Sequence, residues 1–295
     1  MKILVTSDLH VDHRRSRGGA EALAAEIAAL GRQRAFDVLL VVGDVATARG
    51  DGLEYGLSLL PFDGPRLMTL GNHELWSDAP DTWTLYSEVL PQRIAAAGWH
   101  CLDQTPFVYG DVGFVGSVGW YDYSFAPAYL GIPRRFYEAK VSPGAAAHLS
   151  AHRHLLESLH DIPASAMDVY ARWNDARHIR WSLTDTQFTE HLLRRLEVQL
   201  RQVAACRHVV AAVHHLPAAE LLPPPSSPAW DFAKAFLGSP RFAELLGTLP
   251  NLRHVVCGHS HMPALAVLGG VRYLATGSGY RVKRYAILDV PPQPR

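Results

Sequence analysis

Ile3-Leu4-Val5-Thr6 runs directly into Ser7-Asp8-Leu9-His10. A short, unbroken apolar and β-branched run of this kind predicts a strand buried on both faces, as in a parallel sheet. A carboxylate and an imidazole, two residues apart, follow at its end. The same order recurs down the chain. Val38–Val42 leads into Gly43-Asp44, and Leu67–Leu70 into Gly71-Asn72-His73-Glu74. His208–Val213 leads into His214-His215, and His254–Cys257 into Gly258-His259-Ser260-His261.

In open α/β sheets, sites form beyond the carboxyl ends of the strands. Five strand ends would therefore deliver Asp, His and Asn to one rim. These oxygen and imidazole donors, with no cysteine among them, suit Mn, Fe or Zn rather than a closed thiolate zinc site. Asp44 can bridge two cations with its two oxygens. Asp8 with His10, and His259 with His261, point the same way if the backbone there is extended. The glycines before Asp44, Asn72 and His259 allow tight turns out of a strand.

Between these runs the period changes. Glu21–Arg34 predicts a helix with Leu23, Ile27 and Leu30 on one face. Another helix falls within Asp81–Ala97. Thr184 and Gln187 make a capping box that opens a helix lined by Phe188, Leu192, Leu196, Leu200 and Val203. Val112–Val118 predicts a further strand, and Pro217–Pro228 a surface loop. Ala264–Leu268, Val271–Ala275 and Tyr285–Val290 predict strands joined like hairpins. Early strands alternate with helices and late ones do not, so the expected fold is α/β: two mixed sheets packed together and flanked by helices. Gly119–Arg180 shows no strand rhythm. We expect a single domain over residues 1–295 with a cap insertion over residues 120–182.

The bulk composition limits the function. With 295 residues, 48% hydrophobic and 19% charged, the chain has the make-up of a globular protein with a sizeable core. Lys+Arg and Asp+Glu are both 28, so there is no broad electrostatic attraction for nucleic acid or an anionic membrane. Three scattered cysteines, Cys101, Cys206 and Cys257, do not make a disulfide framework. With no apolar stretch long enough to span a bilayer and too short an apolar run at the start for a signal peptide, a cytoplasmic location is expected.

The series Asp-x-His, Gly-Asp, Gly-Asn-His-Glu, His-His and Gly-His-x-His, in this order from residue 8 to residue 261, resembles the calcineurin-like metallophosphoesterases. The resemblance implies a four-layer α/β/β/α sandwich and a two-metal phosphoesterase site. It implies that Asp8, His10 and His261 bind one metal and that Asn72, His214 and His259 bind the other, with Asp44 bridging. Mn is the expected occupant, with Fe or Zn as alternatives. His73, beside the ligand Asn72, would contact the phosphate or protonate the leaving oxygen, and His215 would support the ligands or meet substrate. The implied reaction is hydrolysis of a phosphate ester, a diester or a monoester of small size such as a nucleotide, by attack of a metal-bridging hydroxide. A nuclease of this fold and a non-catalytic scaffold are the competing readings.

One departure narrows the choice. Protein Ser/Thr phosphatases of the family read Gly-Asp-x-Val-Asp-Arg-Gly, where this chain has Gly43-Asp44-Val45-Ala46-Thr47-Ala48-Arg49-Gly50. The second Asp, which helps to orient the catalytic His there, is Thr47 here. Glu74 or a backbone carbonyl would then have to orient His73. The stretch from Trp173 to Gln187 resembles a segment inserted over the site in some bacterial members. It makes Asn174 and Arg177 candidate substrate contacts, and Trp120 and Tyr121 candidates for an aromatic wall.

Overall fold

A computed structural model describes residues 1–78 and 81–290. Among the described residues there are eleven strands: β1 (Lys2–Thr6), β2 (Val38–Val42), β3 (Arg66–Thr69), β4 (His100–Cys101), β5 (Phe107–Tyr109), β6 (Val112–Ser117), β7 (His208–Val213), β8 (Leu252–Cys257), β9 (Ala264–Leu268), β10 (Val271–Ala275) and β11 (Tyr285–Asp289). They form one sheet in the order β11-β1-β2-β3-β4 and a second in the order β5-β6-β7-β8-β10-β9. Strands β1 to β4 run parallel, as do β6, β7, β8 and β10. The edge strands β11, β5 and β9 are antiparallel, so both sheets are mixed.

The alternation of side chains along each strand builds the layers. Ile3, Val5, Val38, Leu40, Val42 and Leu67 of the first sheet meet Val112, Phe114, Val210, Ala212 and Val256 of the second in one buried cluster. The opposite faces bury against helices. Leu4, Leu39 and Val41 share a core with Ala20, Leu23 and Ile27 of the helix Arg17–Arg32. The second sheet is covered by the helix Asp185–Gln202, which buries Phe188, Leu192, Leu196 and Leu200. Its Thr184–Gln187 capping box is complete. Burial on both faces is why the central strands read as continuous apolar runs rather than as alternating ones.

The structure differs from the sequence-based expectation in three places. β11 does not continue a hairpin from β10; it crosses back and pairs antiparallel with β1, aligning Lys2 with Asp289. The short strands β4 and β5 carry too few residues to show a period. The helix expected within Asp81–Ala97 is Thr82–Thr84 and Leu90–Ala96 with a π-helical turn, Leu85–Val89, between them. Between β6 and β7 lie short helices, from Ala128–Leu130 to Asp175–His178, and then the helix Asp185–Gln202. Among the described residues no helix is long and apolar enough to cross a membrane.

Candidate metal centre

The parallel strands of both sheets end at one rim, and their ladders continue past the last strand residue. Asp8 N–H donates to the Gly43 carbonyl (3.0 Å) and His10 N–H to the Asp44 carbonyl (2.9 Å). His214 N–H reaches Ser117 (3.1 Å), and Gly258 N–H reaches the His214 carbonyl (3.0 Å), binding the two β-ends of the second sheet together. Side chains on these loops therefore stand on anchored backbone.

That backbone is not extended. Asp8 (φ 52°), His10 (φ 44°), Asp44 (φ 57°), His259 (φ 64°) and His261 (φ 56°) are all left-handed. Asp8 and His10 converge through left-handed turns rather than through strand alternation, whereas His259 and His261 part into two different donor groups. Such conformations cost on the order of 1–3 kcal/mol each in a non-glycine residue and persist where the surroundings over-determine them. The glycines serve space more than turning. Of the three that precede ligand positions, only Gly43 has positive φ (74°). A Cβ on Gly71 would lie 2.2 Å from Asp44 Oδ1, and one on Gly258 2.4 Å from Asp8 Oδ2.

Two groups of donors result. Asp8, His10, Asp44 and His261 place ligand atoms within 4.8 Å of one another, and so do His214, His215 and His259. His10 Nε2 is 3.1 Å from His261 Nε2 and 3.6 Å from Asp44 Oδ2. His261 Nε2 is 3.3 Å from Asp8 Oδ1. Asp44 reaches the second group through His214 Nε2, 3.4 Å from its Oδ2. His214 Nδ1 sits on the Val42 carbonyl (2.8 Å) and His215 Nδ1 on the Val118 carbonyl (2.9 Å). Both Nε2 atoms are buried without a hydrogen-bond partner, and so is Asn72 Oδ1. A ring whose Nδ1 is held by a carbonyl presents Nε2 as a ligand. Buried polar atoms left without a hydrogen-bond partner are what a cation beside them would satisfy. The donor set therefore fits two divalent ions.

Electrostatics agree with ligand duty at His10, His215 and His259. Burial pushes His10, His215 and His259 well below the ordinary imidazole range, His215 to about 3. All three are neutral, as metal coordination requires. Burial also opposes charging of His214, but the adjacent Asp44 outweighs it and raises His214 to about 10. Burial likewise opposes ionisation of Asp44, yet the charge of His214 holds its carboxyl well below the usual range. A positive charge beside Asp44 is thus strongly favoured here, and a cation supplies the same charge.

His73 lies on the wall. Its backbone N–H donates to Asp44 Oδ1 (2.9 Å), and its ring stacks on Trp76 at 3.8 Å between centroids and meets His10 edge-on at 4.5 Å. Glu74 does not orient it. The Glu74 carboxylate accepts from the backbone N–H groups of Gly71 (2.7 Å), Asp44 (2.9 Å), Val45 (2.6 Å) and Ala46 (3.2 Å). It ties the β2 and β3 loops together. Burial and the Asp44 charge push its carboxyl up to about 7. Thr47 bonds Asp12 through its N–H and hydroxyl (2.9 and 2.7 Å) and plays no part at His73.

A cavity of about 230 Å³ opens beside the centre, lined by Asp44, Asn72, His73, His259 and His261 together with Trp76, Arg172, Trp173, Asn174, Trp230 and Tyr280. Asn174 is thus at the wall, whereas the exposed Arg177 is not among its residues. Trp120 and Tyr121 are fully buried beneath the site and do not line it, because Trp120 Nε1 donates to Asp185 and the Tyr121 hydroxyl to Asp175. The aromatic wall comes instead from Trp76, Trp173, Trp230 and Tyr280. Tyr280, which nothing in the sequence pattern marked, stacks on His10 at 4.5 Å and meets His261 edge-on at 4.9 Å.

A family profile described as calcineurin-like phosphoesterase matches residues 1–263. Among solved structures, the phosphopantetheinyl hydrolase of Mycobacterium tuberculosis superposes with a TM-score of 0.65 at 21% identity, over 95% of this chain and 90% of that one. A dimetal phosphatase from Danio rerio superposes with a TM-score of 0.51 at 13% identity, over 97% and 91%. At these identities the likeness establishes the shared fold. Among curated proteins none matches.

Proposed function

Because this chain belongs to the calcineurin-like phosphoesterases, a family of phosphate-ester hydrolases, we propose that it hydrolyses a small phosphodiester at a dinuclear centre held by Asp8, His10, Asp44 and His261 on one side and Asp44, Asn72, His214 and His259 on the other. The observation that carries this reading is that Asp44 Oδ2 stands close to both donor groups, 3.6 Å from His10 Nε2 and 3.4 Å from His214 Nε2, while His214 Nε2 and Asn72 Oδ1 are buried without a hydrogen-bond partner. When bound, two divalent cations would supply charge to a phosphoryl group and acidify a water.

The chain's own residues do the rest. Asp44, anchored by Glu74 and by the His73 N–H, keeps the two donor groups in register. His73 faces the cavity from the Trp76 stack, where its imidazole can hold a proton for the leaving oxygen. The indoles of Trp76, Trp173 and Trp230 exclude water around one substituent of the phosphorus. His261 and Tyr280 also line a second hollow of about 470 Å³ with His13, Arg15 and Arg281. Two hollows that share His261 and Tyr280 leave room for two ester arms, which favours a diester over a monoester. The segment over residues 120–182 acts as a cap: its Trp173 and Asn174 close one wall of the cavity. The equal numbers of Lys+Arg and Asp+Glu, 28 each, speak against a nuclease, and each proposed ligand position carries a donor, which speaks against a mere scaffold.

The test is turnover of bis-p-nitrophenyl phosphate beside p-nitrophenyl phosphate with added Mn, Fe or Zn. A phosphopantetheinyl diester belongs in the same panel, given the fold shared with the mycobacterial hydrolase. Faster diester turnover supports the reading. Preference for the monoester would reassign the second hollow.

A further inference from the structure

Asn72 and His73 share a support outside the motifs. Asp175, fully buried, lies 103 residues from Asn72 and receives four donors on its two oxygens. Oδ1 accepts from Asn72 Nδ2 (2.9 Å) and Trp76 Nε1 (2.7 Å). Oδ2 accepts from the Tyr121 hydroxyl (2.9 Å) and Trp173 Nε1 (2.7 Å).

An asparagine amide has two faces, and a neighbour decides which one is presented. With Nδ2 held by Asp175, Asn72 can only turn Oδ1 toward the metal centre, and that oxygen is the buried one without a partner. The other Oδ1 contact fixes the plane of Trp76, the ring on which His73 stacks. His73 has no carboxylate of the protein-phosphatase kind at Thr47, and Glu74 is engaged by backbone. Trp76, held by Asp175, takes the place of both. From these contacts we infer that Asp175 is a positioning residue. It sets the ligand face of Asn72 for the second cation and the orientation of His73 through Trp76, and it ties both to the Trp173 wall. The inference rests on the dinuclear reading above.

The experiment is calorimetric titration of the chelator-stripped full chain with Mn²⁺, wild type beside Asp175→Ala, with steady-state kinetics on bis-p-nitrophenyl phosphate. Partners behind metal ligands typically set affinity by about 10–100-fold. The expected result is one Mn²⁺ equivalent bound as in wild type, the other weakened about 10–100-fold, and kcat falling with little change in KM. Two undisturbed equivalents and an unchanged kcat would overturn the role of Asp175 while leaving the dinuclear centre intact. A wild-type chain that binds no Mn²⁺, Fe²⁺ or Zn²⁺ would instead overturn the reading beneath it. If Asp175→Ala does not fold, Asp175→Asn serves. Its amide can satisfy only one of the two donor pairs, so a partial loss confined to one equivalent is expected, and equal effects on both equivalents would refute the assignment.

Discussion

Glu74→Gln keeps the shape of the side chain and replaces one acceptor oxygen by a donor. In the native site each carboxylate oxygen receives two backbone N–H groups: Val45 and Ala46 on Oε1, Asp44 and Gly71 on Oε2. Whichever way the glutamine amide turns, its NH₂ faces one of these pairs. Two N–H groups then lose their acceptor in a fully buried setting, at about 1–3 kcal/mol each, or about 2–6 kcal/mol together. For a chain of this size about 1 kcal/mol moves the melting temperature by roughly 2 °C, so a fall of about 4–12 °C is expected. The assay is thermal unfolding at pH 8 and fixed metal concentration, since bound metal itself raises the melting temperature. The same variant should bind Mn²⁺ more weakly, because the Asp44 loop is one of the two that Glu74 joins. A melting temperature within about 2 °C of wild type, with unchanged metal affinity, would refute the reasoning that Glu74 staples the two ligand loops.

Gly258→Ala should cost at least about tenfold in metal affinity, read by calorimetry, because the new Cβ would stand 2.4 Å from Asp8 Oδ2 and 2.7 Å from Ser7 Oγ. His73→Ala should lower kcat by about 10²–10⁴-fold with metal content unchanged, and an equal loss of metal would show that it acts structurally. Asp103 bonds Leu70 N–H of the first sheet and Val118 N–H of the second (2.7 and 2.5 Å), and burial raises its carboxyl from 3.8 to about 6. A carboxyl raised on folding contributes stability that is present below its unfolded value and lost as pH rises through its folded value. Denaturant unfolding should therefore show wild type losing up to about 3 kcal/mol relative to Asp103→Asn between pH 4 and pH 7, and a change of opposite sign would contradict this.

Much of the candidate metal centre can be read from the chain because its members follow buried strands directly, so Asp8, Asp44, Asn72, His214 and His259 stand out by position as proposed ligands. The apolar runs likewise announce the parallel strands that the two sheets bury on both faces. What holds the ligands is far less legible. Glu74 acts on N–H groups about thirty residues away, and Asp175 on Asn72 across 103 residues. Nothing periodic marks such pairings. The left-handed backbone at Asp8, His10 and Asp44 is hidden for another reason: Asp and His tolerate that conformation more than most residues, but their identity does not demand it. Tyr280 looks like any tyrosine in a loop until the fold carries it against His10. The path of β11 back to β1 was obscured because a short connection suggests a hairpin, and only the free edge of the first sheet decides otherwise.

The central claim is that one rim of this fold holds two metals and hydrolyses phosphate esters. The most direct measurement is elemental mass spectrometry of the purified chain, before and after incubation with Mn, alongside turnover of bis-p-nitrophenyl phosphate by wild type and Asp44→Asn. The account predicts close to two metal equivalents per chain in wild type, measurable turnover, and the loss of both in the variant. A wild-type chain that holds no transition metal and turns over no ester with any of Mn, Fe or Zn would contradict it.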